Sequence, residues 1–92
     1  MKVIESKKFS IDEKEVYICE ENYKLSDNTK VSIYTDFYDK VYITKNGEVI
    51  KEIYIYEFQA CITLNDYMAI QGHEELMLYN LRTLESKTDS TR

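Results

Sequence analysis

The chain has no proline and no tryptophan, and it has only two glycines, two cysteines, one histidine and two arginines. Each scarcity removes a class of chemistry. Gly47 and Gly72 stand far apart, so no glycine-rich loop exists to cradle a phosphate. His73 is the sole histidine, and Cys19 and Cys61 form neither a CxxC nor a cysteine–histidine cluster. A metal would therefore depend on carboxylates alone, and neither a metal nor a cofactor is expected. Arg82 and Arg92 are the only arginines in a chain of 17 acids and 12 bases, formal charge −5. That balance argues against direct binding of nucleic acid, whose phosphates are met mainly by Lys and Arg. It favours a basic protein partner instead.

Long apolar runs are missing too. Nothing approaches the roughly 20 residues needed to cross a bilayer. The start, MKVIESKKFS, lacks the apolar middle of a signal peptide. A cytoplasmic protein is expected, with both cysteines as buried free thiols. The bias toward Lys, Ile, Tyr and Glu fits AT-rich coding, as in a low-GC bacterium or its phages.

What is present reads as one domain over residues 1–86, with Ser86 to Arg92 (SKTDSTR) lacking any core former and 87–92 expected as a frayed tail. The most informative stretch is Lys40–Tyr56, KVYITKNGEVIKEIYIY. Asn46-Gly47 between alternating apolar residues signals a hairpin. A two-residue loop would pair Ile43 with Ile50 and mix residue types on both faces. A three-residue loop with Gly47 in a bulge pairs Ile43 with Val49. One face then carries Val41, Ile43, Val49, Ile53 and Ile55, interrupted by Lys51. The other carries Tyr42, Ile50, Tyr54 and Tyr56, with Lys40 opposite Glu52. Register follows the buried face, so the three-residue count is preferred.

Further strands are expected within Lys2–Ile11, over Glu15–Glu20 and over Thr29–Phe37, with Asp27-Asn28 as a turn. Short links between them predict an antiparallel meander of four to five strands. After Tyr56 the pattern changes. Thr63-Leu64-Asn65-Asp66 resembles a helix start with Thr63 as N-cap, Gly72 a helix end, and Met77, Leu78, Leu81 and Leu84 recur at helical spacing. The expected class is α+β, with one or two C-terminal helices on the aliphatic face of the sheet.

An enzyme is not expected. His73 directly follows the expected helix end at Gly72, where a surface histidine is unremarkable, and Glu20-Glu21 and Glu74-Glu75 read as solvated acid pairs. The nine tyrosines carry the functional reading. Tyr34, Tyr42, Tyr54 and Tyr56 fall opposite the aliphatic set, and tyrosine is enriched at interfaces. Asp12, Glu13, Glu15, Glu20 and Glu21, diluted only by Lys14, are placed to steer a basic partner. The expectation is a small acidic protein-binding module without membrane attachment. It would occupy the surface of a basic or nucleic-acid-handling protein, in the manner of a phage inhibitor of a host nucleic-acid-acting or defence enzyme. The alternative is a small-ligand, nucleotide-like binder with a tyrosine-lined pocket, as a homodimer in one version.

Overall fold

The computed structural model describes residues 5–11 and 14–90, and side chains from Glu15 to Lys87. Among the described residues nine strands follow one another: β1 (Glu5–Ile11), β2 (Lys14–Lys24), β3 (Lys30–Thr35), β4 (Lys40–Lys45), β5 (Glu48–Tyr54), β6 (Ala60–Leu64), β7 (Tyr67–Gln71), β8 (Glu75–Asn80) and β9 (Ser86–Ser90). They form two antiparallel meanders, a five-stranded sheet in the order β1-β2-β3-β4-β5 and a four-stranded sheet in the order β6-β7-β8-β9. Val31, Ile33, Val41, Ile43 and Ile53 of the first sheet, with Ile55 just after it, share one buried cluster with Met68, Ile70 and Tyr79 of the second and Leu81 of the turn after β8. The sheets therefore face each other across a single aliphatic core.

The α+β expectation is overturned. The described residues contain no helix, and the segment read as helical makes β6 to β9. Thr63 lies inside β6, and Asn65-Asp66 is a two-residue hairpin turn closed by the Leu64–Tyr67 pair. The apparent helical spacing arose because both faces of the second sheet are apolar. Met77 and Leu78 are consecutive in β8 and so point to opposite faces, while Leu81 lies in the following turn. Gly72 ends no helix. A Cβ there would sit 2.7 Å from Ile55 Cγ1 and 2.7 Å from the Tyr56 carbonyl oxygen, so glycine lets the β7–β8 turn approach the chain leaving β5. Ser86–Ser90, expected to begin the tail, pairs with β8 as β9.

The two-faced hairpin is present, but by another route. Lys45 pairs with Glu48 and Thr44 with Val49 around a two-residue Asn46-Gly47 turn, both residues with positive φ (53° and 80°) as a type I′ turn requires. Ile43 then pairs with Lys51, so Ile50 is the extra residue of a bulge. The bulge restores the parity that the shorter loop would have lost. Ile53 stays with Val41 on the core side, while Val49 moves to the opposite face with Thr44. Lys40 bridges to Glu52 at 2.8 Å, although its direct register partner is Tyr54.

Two irregularities in β2, between Ile18 and Glu20 and between Glu20 and Tyr23, also redistribute faces. Val16 and Ile18 join Tyr34 and Tyr42 in a second buried cluster on the far side of the first sheet, whereas Cys19 joins the central core. Asn22, within the second irregularity, has a φ of 53°.

Candidate protein-interaction surface

The tyrosine face is divided. Tyr42 is 2% exposed and Tyr34 8%; packed with Val16 and Ile18, they are core residues and offer no surface to a partner. The apolar bodies that suggested an interface are consumed inside the molecule. Tyr54 and Tyr56 are exposed. Tyr54 stands on the outward side of edge strand β5 beside the Lys40–Glu52 pair, and the Tyr56 ring lies 6.2 Å from the His73 ring, edge to face. His73 Nδ1 is 3.4 Å from a Glu57 carboxylate oxygen at the surface.

The acidic set is divided too. Asp12 and Glu13 lie outside the described residues. Glu15 and Glu21 are exposed. Glu20 is half-buried, and its carboxylate accepts a hydrogen bond from the Thr63 hydroxyl at 3.2 Å, which ties β2 to β6 across the sheets. Glu15 and Tyr17 border an open cleft together with Asp36, Tyr38 and Asp39 of the β3–β4 turn. Asp36 Oδ1 accepts the N–H groups of Tyr38, Asp39 and Lys40, so this acid builds the turn. The Tyr17 ring packs 5.2 Å from Phe37, which in turn lies 6.1 Å from the buried Phe58.

The surface that sequence reasoning missed is the outer face of the second sheet. Register places Ile62, Ala69 and Leu78 in one row across β6, β7 and β8, Leu64 and Tyr67 in the row beside it, and Gln71 and Leu76 in the row on the other side. Their inward neighbours Met68 and Ile70 are fully buried, but Ile62 is 64% exposed and Leu64 72%, with Tyr67, Leu76 and Leu78 exposed as well. The five amount to roughly 500 Å² of apolar surface, near the upper end of what a monomer shows and often functional at that size. No charged residue sits on this face in β6, β7 or β8; Lys87 of β9, paired with Leu78, marks its border. An open cleft at that border is lined by Tyr67, Leu78, Asn80, Leu84 and Lys87. It carries one tyrosine, not the several expected of a ring-stacking pocket.

Family models, curated proteins and solved structures all fail to match this chain. The geometry alone carries the functional reading.

A signal for this face existed in the sequence. Ile62/Leu64, Tyr67/Ala69 and Leu76/Leu78 each alternate at period two, but the intervening Cys61, Met68, Ile70 and Met77 are apolar as well, and alternation is invisible when both phases are hydrophobic. The remaining polar machinery is structural. Asp66 accepts from the Ser26 N–H at 2.8 Å and from the Ser26 hydroxyl, and Arg82 lies between Asp66 (3.6 Å) and Asp27 (3.8 Å). Hydrogen bonding from Ser26, with Arg82 nearby, holds the Asp66 carboxyl below the usual carboxylate range. Among the described residues no group of His, Cys, Asp or Glu could hold a metal ion, and no helix is long and apolar enough to cross a membrane.

Proposed function

We propose that this chain is a protein-binding module that seats the outer face of β6, β7 and β8 on a partner protein. The observation that carries this reading is the exposure of Ile62, Leu64, Tyr67, Leu76 and Leu78 on one uncharged sheet face. Interface centres are depleted in charge and enriched in large apolar and aromatic groups, with polar groups at the rim. The net charge of −5 favours a partner whose own surface is basic. A nucleic-acid-handling enzyme has such a surface, and an inhibitor of one would act by occupying it. Tyr54 and Tyr56 stand outside this face and become secondary.

The test is capture from a low-GC bacterial lysate on the immobilised protein, beside a Leu64→Asp/Leu78→Asp variant and a Tyr54→Ala/Tyr56→Ala variant. Both pairs are exposed, so each variant retains the wild-type circular dichroism. The expected result is a stoichiometric protein held by the wild type and the tyrosine variant and lost from the aspartate variant. Equal capture by all three overturns the reading.

A further inference from the structure

Among the described residues both sheets are open, which leaves four edge strands: β1, β5, β6 and β9. Exposed strand edges invite pairing with other chains, and proteins blunt them with charge, bulges or proline. Lys7 and Lys8 lie in β1, which also has a register shift between Glu5 and Lys8. Edge strand β5 carries Glu48, Lys51, Glu52 and the bulge at Ile50. Lys87 and Asp89 lie in β9. Strand β6, Ala-Cys-Ile-Thr-Leu, has no charge and an uninterrupted register with β7. Among the described residues β7 is its only strand neighbour.

The direction of its backbone groups follows from the ladder. The Leu81 N–H donates to the Asp66 carbonyl at 2.7 Å, so Asp66, and by alternation Met68 and Ile70, turn their backbone groups toward β8. Tyr67 and Ala69 then turn toward β6, where they meet Leu64 and Ile62. The N–H and C=O groups of Cys61 and Thr63 are left pointing out of the open edge.

We propose that β6 pairs antiparallel with the β6 of a second copy of this chain, about a two-fold axis at Ile62. That register is self-complementary in three respects. Cys61 of each copy falls opposite Thr63 of the other, so both outward-pointing residues of each strand meet outward-pointing residues, as a hydrogen-bonded antiparallel pair needs. Ile62 falls opposite its own copy, and the exposed Leu64 falls opposite the small Ala60. No like charges oppose one another, because the strand has none. Two four-stranded sheets become one of eight. The inference uses the backbone edge of β6; Ile62 and Leu64 also belong to the face assigned above, but the edge pairing does not rest on that assignment.

Sedimentation equilibrium of the whole chain from about 1 to 500 µM tests it, at about 20 and 200 mM salt. The wild type is expected to dimerise, and more tightly at higher salt, because each copy carries −5. A basic partner bound by the same molecule would weaken with salt, so the two readings fail separately. Thr63→Pro removes one outward N–H and the Thr63 hydroxyl's bond to Glu20 but no β6–β7 bond, and Ile62→Lys sets two cations across the axis. Each is expected to weaken the dimer at least about tenfold. Leu76→Asp, on the face but away from β6, leaves it intact. Should Thr63→Pro impair folding, Ile62→Lys reads the same contact. A wild type monomeric at every concentration overturns the proposal, as does a dimer lost in Leu76→Asp and kept in both β6 variants.

Discussion

Asparagine does in this chain what glycine does in most. Of its five asparagines, Asn22, Asn28, Asn46 and Asn65 adopt positive φ, and three of those lie in turns between strands. The fifth, Asn80, accepts the N–H groups of Arg82 and Thr83 through its side-chain oxygen and so builds the β8–β9 turn. Asparagine tolerates the left-handed region through local hydrogen bonding, which is how two antiparallel meanders form with two glycines and no proline. Glu57 has no such help at φ 52°, and Glu57→Gly is expected to raise stability by about 0.5–1 kcal/mol in denaturant titration. Gly72 is the opposite case. Gly72→Ala drives a methyl into Ile55 and the Tyr56 carbonyl and is expected to cost about 1–3 kcal/mol by the same measurement. The cysteines, distant in sequence, meet in the core. Cys19 is buried as expected, whereas Cys61 is only partly buried at the edge of the core; its hydrogen bond with Cys19, with partial desolvation, pushes its thiol far above the ordinary range. Iodoacetamide at neutral pH is expected to leave Cys61 unmodified until the chain unfolds, as intact-mass measurement would show.

At the scale of elements, the first half of the chain was more legible than the second, for a physical reason. In β3 and β4 the core side carries Val31, Ile33, Val41 and Ile43, and the sequence alternates clearly enough to give both strands and their order. The hairpin at Asn46-Gly47 was legible as a hairpin. Its loop length was not, because a bulge at Ile50 compensates for the shorter turn and keeps Val41, Ile43 and Ile53 inside while Val49 moves to the other face. Tyr34 and Tyr42 were correctly placed opposite the aliphatic set, yet β2 brings Val16 and Ile18 beside them and they are buried. From β6 on, both faces are apolar, and Leu81 and Leu84 complete a helical spacing by accident. Thr63 and Asp66, read as a cap, instead hold the two sheets together through Glu20 and Ser26. Asp66 and Asp27 both lie below the usual carboxylate range, each held chiefly by a neighbouring hydroxyl, Ser26 and Thr29 respectively. A depressed carboxyl contributes stability that is present above the unfolded pKa, about 3.9, and lost as pH falls through the folded value. Asp66→Asn is therefore expected to lower the melting temperature at neutral pH, and to narrow its difference from the wild type as the pH falls below about 4.

The whole molecule joins a net acidic surface to one uncharged apolar face, and the two should be separable by experiment. Long-range charge acts on encounter and is screened by salt, while desolvated apolar contacts act on dissociation. Among the described residues Glu15 and Glu21 are the exposed acids of the set read as steering, and Leu64 and Leu78 lie on the apolar face. The most direct measurement is the binding kinetics of the captured partner against the wild type, Leu64→Asp/Leu78→Asp and Glu15→Lys/Glu21→Lys at low and physiological salt. The account predicts dissociation at least about a hundredfold faster for the leucine pair at either salt, and slower, less salt-dependent association for the glutamate pair. Unchanged dissociation in the leucine pair would contradict it.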